Sequence, residues 1–419
     1  MGQPYTRSRY YHLYLNGVYW GIYMTEERVS GTLGESYLGG DKDDFDTVHQ
    51  DSSMQVNATS GNLEAYDRLW QRTIDGWTNN DVYFQAQGLE PDGKTINPAY
   101  ERLLDVDNLA DYMLVVYYNG DRDGPASRYT TPRVNNYYAL YNRVNPDGWK
   151  FPAHDMEHSL GRGENNMVTP LASDHQDRDE KKYFTAHFLH EQLTSNQEYV
   201  VRFADRFYLR HYNDGILTEE NAKARIAFRS DQIDKAIIAE AARWGDTKSG
   251  VPKNRTDWLN NVKMVTDWMT GRNAVVLNQL RTTRLNGSSP YWYPSIDPPG
   301  FSQHGGQVGS SFRLTMSDPN APATTIYYTL DGSDPRLLGG TVSTSAQTAQ
   351  PSGMQNTLLL DAGAPATAFV PTNGSLASAW TQPGFDDSTW QSGPSGIGYD
   401  TATTYRSLFG IDVLSPMRN

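Results

Sequence analysis

An α+β fold in two lobes, followed by β-rich segments, is what this chain predicts, and three observations predict it. Residues up to Phe151 carry short aromatic and β-branched runs broken by turn residues. Residues 183–280 carry three long stretches of helical periodicity. From Phe301 onward those periods vanish and Thr, Ser, Gly and Pro dominate. Strands first and helices second, segregated along the chain, is the α+β arrangement.

The elements follow in order. Residues 11–24 alternate as two strands around Asn16-Gly17, a dipeptide that favours the two-residue hairpin turn. Tyr14, Tyr19, Trp20 and Tyr23 are expected to pack across these strands rather than to form a binding platform. A Gly-Gly-Asp-Lys-Asp-Asp turn at 39–44 leads into a strand-like run at 45–50, and 63–77 reads as a helix. Residues 105–118 read as a second helix with Leu109, Met113 and Val116 on one face, and deliver the chain to a loop holding Asp121 and Asp123. Asn135 and Asn136 open an aromatic strand at 137–141, which the turn Asn145-Pro146-Asp147-Gly148 returns to 149–151, so these runs are expected to pair as a hairpin. Three helices are expected over 183–212, 218–244 and 258–280, the second opening on a capping Thr218. The Pro, Gly and Ser of 284–300 mark a linker.

Bulk composition sets limits on function. The chain has 419 residues, room for two or three domains, and 20% charged with 37% hydrophobic residues is a globular rather than a disordered mix. With 27 Tyr and 10 Trp, stacking surfaces and β-rich modules are favoured over a large aliphatic core. A formal net charge of −13 and the lack of any Lys/Arg tract disfavour nucleic acid as a partner. Without Cys there are no disulfides, thiolate zinc sites or Cys nucleophile. No apolar run is long enough to span a membrane, and the N-terminal residues are not a signal peptide. Both ends read as interrupted domain sequence, so a longer exported protein is expected, with any signal or anchor outside this chain.

Chemistry concentrates between Asn119 and Gly161. Asp121 and Asp123 in the first loop, Asn135 and Asn136 before the aromatic strand, and Asp155 and Glu157 after the second short strand would converge if the hairpin forms. Hard oxygen ligands of this kind suit Mg²⁺ or Mn²⁺ with bound phosphates. Each of these residues taken singly is equally at home capping a turn; six around one hairpin shift the balance.

These residues, with the aromatic run LYLNGVYWGIYMTEERV at 13–29, resemble the spore-coat-protein-H (CotH) kinase family, an atypical kinase group. The family pattern joins an aromatic LNG-x-YWG-x-Y hairpin and a following acid, a loop Asp followed by an Asn-Tyr pair, and a Trp-Asp-x-Asp/Glu before a Gly. Here these are residues 14–23 with Glu26 and Glu27, Asp121 with Asn136-Tyr137, and His154-Asp155-Met156-Glu157 before Gly161. His154 replaces the usual Trp, and extra residues before Asn136 leave the choice between Asp121 and Asp123 open. The resemblance covers 1–283 and implies a kinase-like domain with ATP between a small lobe and a helical lobe. It implies Asp121 as catalytic acid with Asp123 as its substitute, Asn136 as an amide ligand, Asp155 as main metal ligand assisted by Glu157, and Glu27 on the nucleotide side. The activity implied is transfer of the ATP γ-phosphoryl to Ser or Thr of a surface or secreted bacterial protein. Farther on, IYYTLDGSDPR at 326–336 resembles the C-terminal β-sandwich of chitobiase and β-hexosaminidase proteins, giving 301–358. The run at 380–400 resembles the opening of a galactose-binding-like jelly roll, giving a partial domain at 359–419. Carbohydrate is the partner that such modules suggest, although their aromatic residues are expected to serve as core rather than as sugar-stacking surfaces.

A kinase also needs a cation on the nucleotide phosphates and a glycine-rich cover, and neither a GxGxxG nor a P-loop sequence is present. Lys42 lies in the right stretch but in a charged turn, and His49 stands where comparable sequences carry Lys. Two other readings compete. His154-Asp155-Met156-Glu157-His158 fits the inverted zinc-peptidase motif H-x-x-E-H, which requires a helix that Pro152, Gly161 and Gly163 oppose. The appended β segments and the His154 replacement would also suit a catalytically inactive, kinase-like surface binding protein.

Overall fold

The structure, a computed structural model, describes residues 1–129, 134–170, 180–248, 250–349, 361, 363–402 and 404–417. It separates into two units, Met1–Ile296 and Asp297–Asn419. Strands β1 (Ser8–Leu15) and β2 (Val18–Glu26) form the predicted antiparallel hairpin. Asn16 and Gly17 turn it with φ of 51° and 78°, both in the left-handed region that a type I′ turn needs. Tyr14 and Tyr19 pack edge to face at 5.4 Å, as cross-strand packing requires, and Trp20 meets Trp244 at 5.2 Å.

A helix that the sequence did not announce, α1 (Gly31–Leu38), follows. Its glycines mask it from propensity, yet packing demands them: a Cβ on Gly34 would lie 2.6 Å from the Phe45 ring. Strand β3 (Phe45–Gln50) is central in a three-stranded antiparallel sheet, between β4 (Asn57–Ser60) and β5 (Tyr137–Asn142). Here the expected hairpin is corrected. The main partner of β5 is β3, and 149–151 contributes only a bridge at Leu140 and Lys150. The chain leaves the strand early because Asn142 Oδ1 accepts from the Val144 and Asn145 amides, at 2.9 and 2.8 Å. Trp149 then turns inward to stack on Tyr141 at 5.1 Å.

Helices α2 (Glu64–Asp75), α3 (Asn80–Gln85) and α4 (Val106–Asn119) complete the first half. Of these, α4 is the structural axis, with Leu109, Met113, Leu114, Val116 and Tyr117 fully buried in the main core. Each of the three long helices predicted beyond it is two. The first is α5 (Ala186–Leu193) and α6 (Gln197–His211), interrupted where Asn196 accepts from the Glu198 amide at 2.9 Å. The second is α7 (Glu219–Asp231), capped by Thr218 as expected, and α8 (Ala236–Trp244). The third is α9 (Arg255–Trp268) and α10 (Arg272–Thr282), separated at Gly271, whose φ is 68°. Residues 284–296, read as linker, belong to the first unit, where Trp292 is buried and stacks on Tyr117 at 6.3 Å.

In the second unit the described residues form four two-stranded pairs. These join β6 (Gly300–Phe301) with β7 (Met316–Ser317), β8 (Tyr327–Tyr328) with β9 (Gln347–Thr348), β10 (Pro365–Ala368) with β11 (Gln391–Pro394), and β12 (Ile397–Gly398) with β13 (Ile411–Asp412). The expected boundary at 358/359 lies outside the described residues. Among the described residues no helix is long and apolar enough to cross a membrane.

Candidate active site

Helix α4 ends by handing the chain to the loop of Asp121. Gly120 adopts φ 66° and returns its amide to the Val116 carbonyl, closing the helix in the left-handed manner. The end is fixed from below by Arg272, which is buried and donates to the carbonyls of Tyr117 and Tyr118 at 2.7 and 2.8 Å. Backbone also crosses closely here. The Glu164 amide donates to Gly120 O at 2.9 Å, and a Cβ on Gly163 would lie 1.9 Å from that oxygen.

Asp121 and Asp123 are both buried, 2% and 3% exposed. Asp121 Oδ1 accepts from the Asp123 amide at 3.1 Å. The Asp123 carboxylate collects Ser127 Oγ at 3.0 Å, Asn135 Nδ2 at 3.1 Å and Asn136 Nδ2 at 3.4 Å. Asn136 also donates to the backbone carbonyl of Asp155 at 3.4 Å, so the residue just before β5 clasps the second acidic segment. Asn136 and Asp155 share a left-handed backbone, φ 47° and 49°, which Asn and Asp tolerate better than most residues.

The acids crowd one another. Burial raises the Asp121 carboxyl to about 7, with the Asp123 amide opposing and the charges of Asp123, Glu157 and Asp155 adding to the rise. Glu157 is held at about 7 by loss of solvent, by a hydrogen bond with Asp155, and by the charges of Asp155 and Asp123. Its side chain is 56% exposed, so the neighbouring carboxyls carry the physical weight there. Asp123, Glu157 and His158 each offer a ligand atom within 4.8 Å of the others, and His158 Nε2 stands 3.4 Å from Glu157 Oε1. Carboxyls crowded together and held above their ordinary range for want of a counter-charge fit a hard divalent cation.

The sequence therefore locates five residues that the fold brings together: Asp121, Asp123, Asn136, Asp155 and Glu157. Glu27 is placed elsewhere in its contacts, accepting from Tyr37 Oη and from the Arg7 amide. Lys42 pairs with Asp43 at 3.2 Å in an exposed turn. The zinc-peptidase motif is not realised, because 154–158 is irregular rather than helical. His154 Nδ1 turns to Glu26 at 3.2 Å, while His158 stacks on Tyr129 at 4.0 Å. Sequence reasoning missed Ser127 and Arg272 as supports, and it singled out His158 only within the zinc-peptidase motif. A capping hydroxyl four residues after Asp123 was the one local signal available.

An α+β, kinase-like domain with a buried acidic loop is the class that this arrangement defines. The family model described as CotH kinase protein matches residues 1–276, and the chain belongs to that family. No curated protein matches it.

Proposed function

We propose that this chain is a CotH-type protein kinase that moves the γ-phosphoryl of ATP to a Ser or Thr hydroxyl of a surface or secreted protein, and that it works outside the cell. The observation that supports this most directly is the pairing of a buried Asp121–Asp123 floor with the Asp155 and Glu157 acids, joined through Asn136. Asp155, Glu157 and the Oδ1 atom of Asn136 would hold a Mg²⁺ or Mn²⁺ ion, with Asp123 and His158 adjoining. When bound, that ion neutralises charge on the nucleotide phosphates. Asp121 takes the proton from the acceptor hydroxyl as its oxygen bonds to the γ-phosphorus. The bond from that phosphorus to the β,γ-bridging oxygen breaks, and ADP leaves. A carboxyl raised to about 7 is matched to this proton transfer near neutral pH.

Incubation of the protein with γ-labelled ATP and Mn²⁺ or Mg²⁺ tests the reading. Label is expected on the chain itself or on a co-expressed partner, and is expected to disappear in Asp121→Asn. Absence of label, together with absence of adenylylated product in the mass spectrum, overturns transferase activity. A second reading, a kinase-like binding protein without turnover, has its own support: no lysine among the described residues pairs with Asp121, Asp123, Asp155 or Glu157. Saturable ATP binding without transfer would favour it.

A further inference from the structure

We infer that His158 enters the coordination of the cation and tilts the site from Mg²⁺ towards Mn²⁺, an inference that rests on the cation site proposed above. His158 falls between the last acid of the family pattern, Glu157, and its Gly161, at a position that the pattern leaves open. The chemistry it adds is therefore this chain's own.

Geometry brings the imidazole to the acids. One ligand atom each of Asp123, Glu157 and His158 lies within 4.8 Å of the others, and His158 Nε2 stands 3.4 Å from Glu157 Oε1. Neighbouring ligands on an ion that holds them at about 2.1–2.2 Å sit about 3 Å apart, so this pair is already close to the spacing that one ion imposes. Asp123 arrives from a different loop, buried and fixed by Ser127 and Asn135 at 3.0 and 3.1 Å. The three donors thus converge from two separate segments rather than from a single turn.

The ring is also held in place. It stacks on Tyr129 at 4.0 Å with 26° between the planes, and the Arg122 guanidinium lies 5.1 Å from that same tyrosine ring. The His158 carbonyl accepts from the Arg122 amide at 3.2 Å, and a Cβ on Gly163 would lie 2.8 Å from it, so the backbone here has little room to shift. The side chain keeps 26% exposure, which leaves an approach for an ion and its waters. Nitrogen changes which ion the site prefers. Mg²⁺ demands a near-ideal octahedron of oxygens and dehydrates reluctantly, whereas first-row transition ions accept imidazole beside carboxylate. Mn²⁺ combines both tolerances. The simpler account, an imidazole that only pairs with Glu157, puts no nitrogen on the metal and predicts a different experiment.

That experiment is titration of the whole chain with Mn²⁺ in the absence of nucleotide, followed by electron paramagnetic resonance, with Mg²⁺ as competitor. The parent is expected to bind Mn²⁺ about 10-fold or more tightly than Mg²⁺, and the bound Mn²⁺ to show ¹⁴N coupling in pulsed spectra. His158→Phe keeps a ring against Tyr129 and removes the nitrogen. It is expected to lose the coupling and most of the preference, through weaker Mn²⁺ rather than stronger Mg²⁺ binding. His12→Phe, which removes an exposed imidazole on β1, is expected to match the parent. Bound Mn²⁺ without ¹⁴N coupling in the parent, or an unchanged preference in His158→Phe, overturns the assignment while the cation site stands. If the parent binds neither ion, the proposed cation site falls and this inference with it. Metal binding as expected in a chain that transfers no phosphoryl group would overturn the kinase reading alone.

Discussion

Asp155 condenses the site into one residue. Its left-handed backbone, φ 49°, is one that Asn adopts at little cost, and its carbonyl rather than its carboxylate receives Asn136. Asp155→Asn therefore keeps the backbone and the clasp while removing one charge from the cation site. The melting temperature of the free protein is expected to hold, while the rise produced by ATP with Mn²⁺ shrinks and affinity falls by about 10-fold or more. An unchanged response to ATP and Mn²⁺ in this variant would remove Asp155 from the site. The acids were legible in the sequence because carboxylates and amides declare their chemistry by type. Their support was not: Ser127 acquires meaning only from its 3.0 Å approach to Asp123, a distance that the fold creates. Glu27 and Lys42 were chosen for their place along the chain, and the fold has given each another partner, Tyr37 and Asp43.

The strand order and the position of α4 set those distances. Helix α4 is held to α6 by charge as well as by packing: Asp111, 2% exposed, receives Arg206 Nε at 3.0 Å and Arg210 Nη2 at 2.7 Å. Removing the carboxylate leaves the Arg210 guanidinium, 15% exposed, without a counter-charge and that of Arg206, 14% exposed, with only Asp107 at 3.3 Å. Asp111→Ala is thus expected to destabilise the protein by about 3–5 kcal/mol, measured by urea unfolding, whereas exposed ion pairs such as Lys263–Asp267 would cost less than about 1 kcal/mol. A loss below about 1 kcal/mol for Asp111→Ala would show that the pair breaks even against its desolvation. At this scale periodicity located α2, α4, β3 and the first hairpin, because each is bounded by residues that cannot continue it. It ran the later helices together, since the apolar spacing persists across Asn196 and Gly271 and only the caps interrupt it. It missed α1 because Gly31 and Gly34 serve packing against Lys42 O and Phe45 at the expense of helix propensity.

Across the whole molecule, burial is concentrated in the first unit. Among the described residues beyond Ile296, only Ile411, Val413 and Leu414 are buried, so global stability resides chiefly in residues 1–296. That core contains three histidines kept neutral by burial. His187 is lowered to about 3, by burial and then by the Arg128 charge, with Glu191 at 3.6 Å; His190 is far below its ordinary value beside Tyr199 and Trp292. His211, stacked on Phe207 at 3.9 Å, is also lowered to about 3. In the unfolded chain each binds a proton near pH 6.5, whereas in the folded chain His187 and His211 do so only at about pH 3 and His190 only far below its ordinary value. Their contribution is therefore complete above pH 6.5 and is lost as the pH falls, by about 1.4 kcal/mol per pH unit for each histidine. Asp121, raised to about 7, acts with the opposite sign: the folded form gains its proton before the unfolded form does, which adds stability as the pH falls towards the ordinary carboxylate range. Glu157 acts likewise but more weakly, being largely exposed. Three histidines outweigh one buried acid and one exposed one. The melting temperature is expected to decline from pH 6.5 to pH 4.5, and to decline more steeply in Asp121→Asn, which removes the chief opposing group. A melting temperature that stays flat or rises over this range would mean that the histidines are hydrated or paired in the folded state, and that the core around α5 and α6 is looser than its packing indicates.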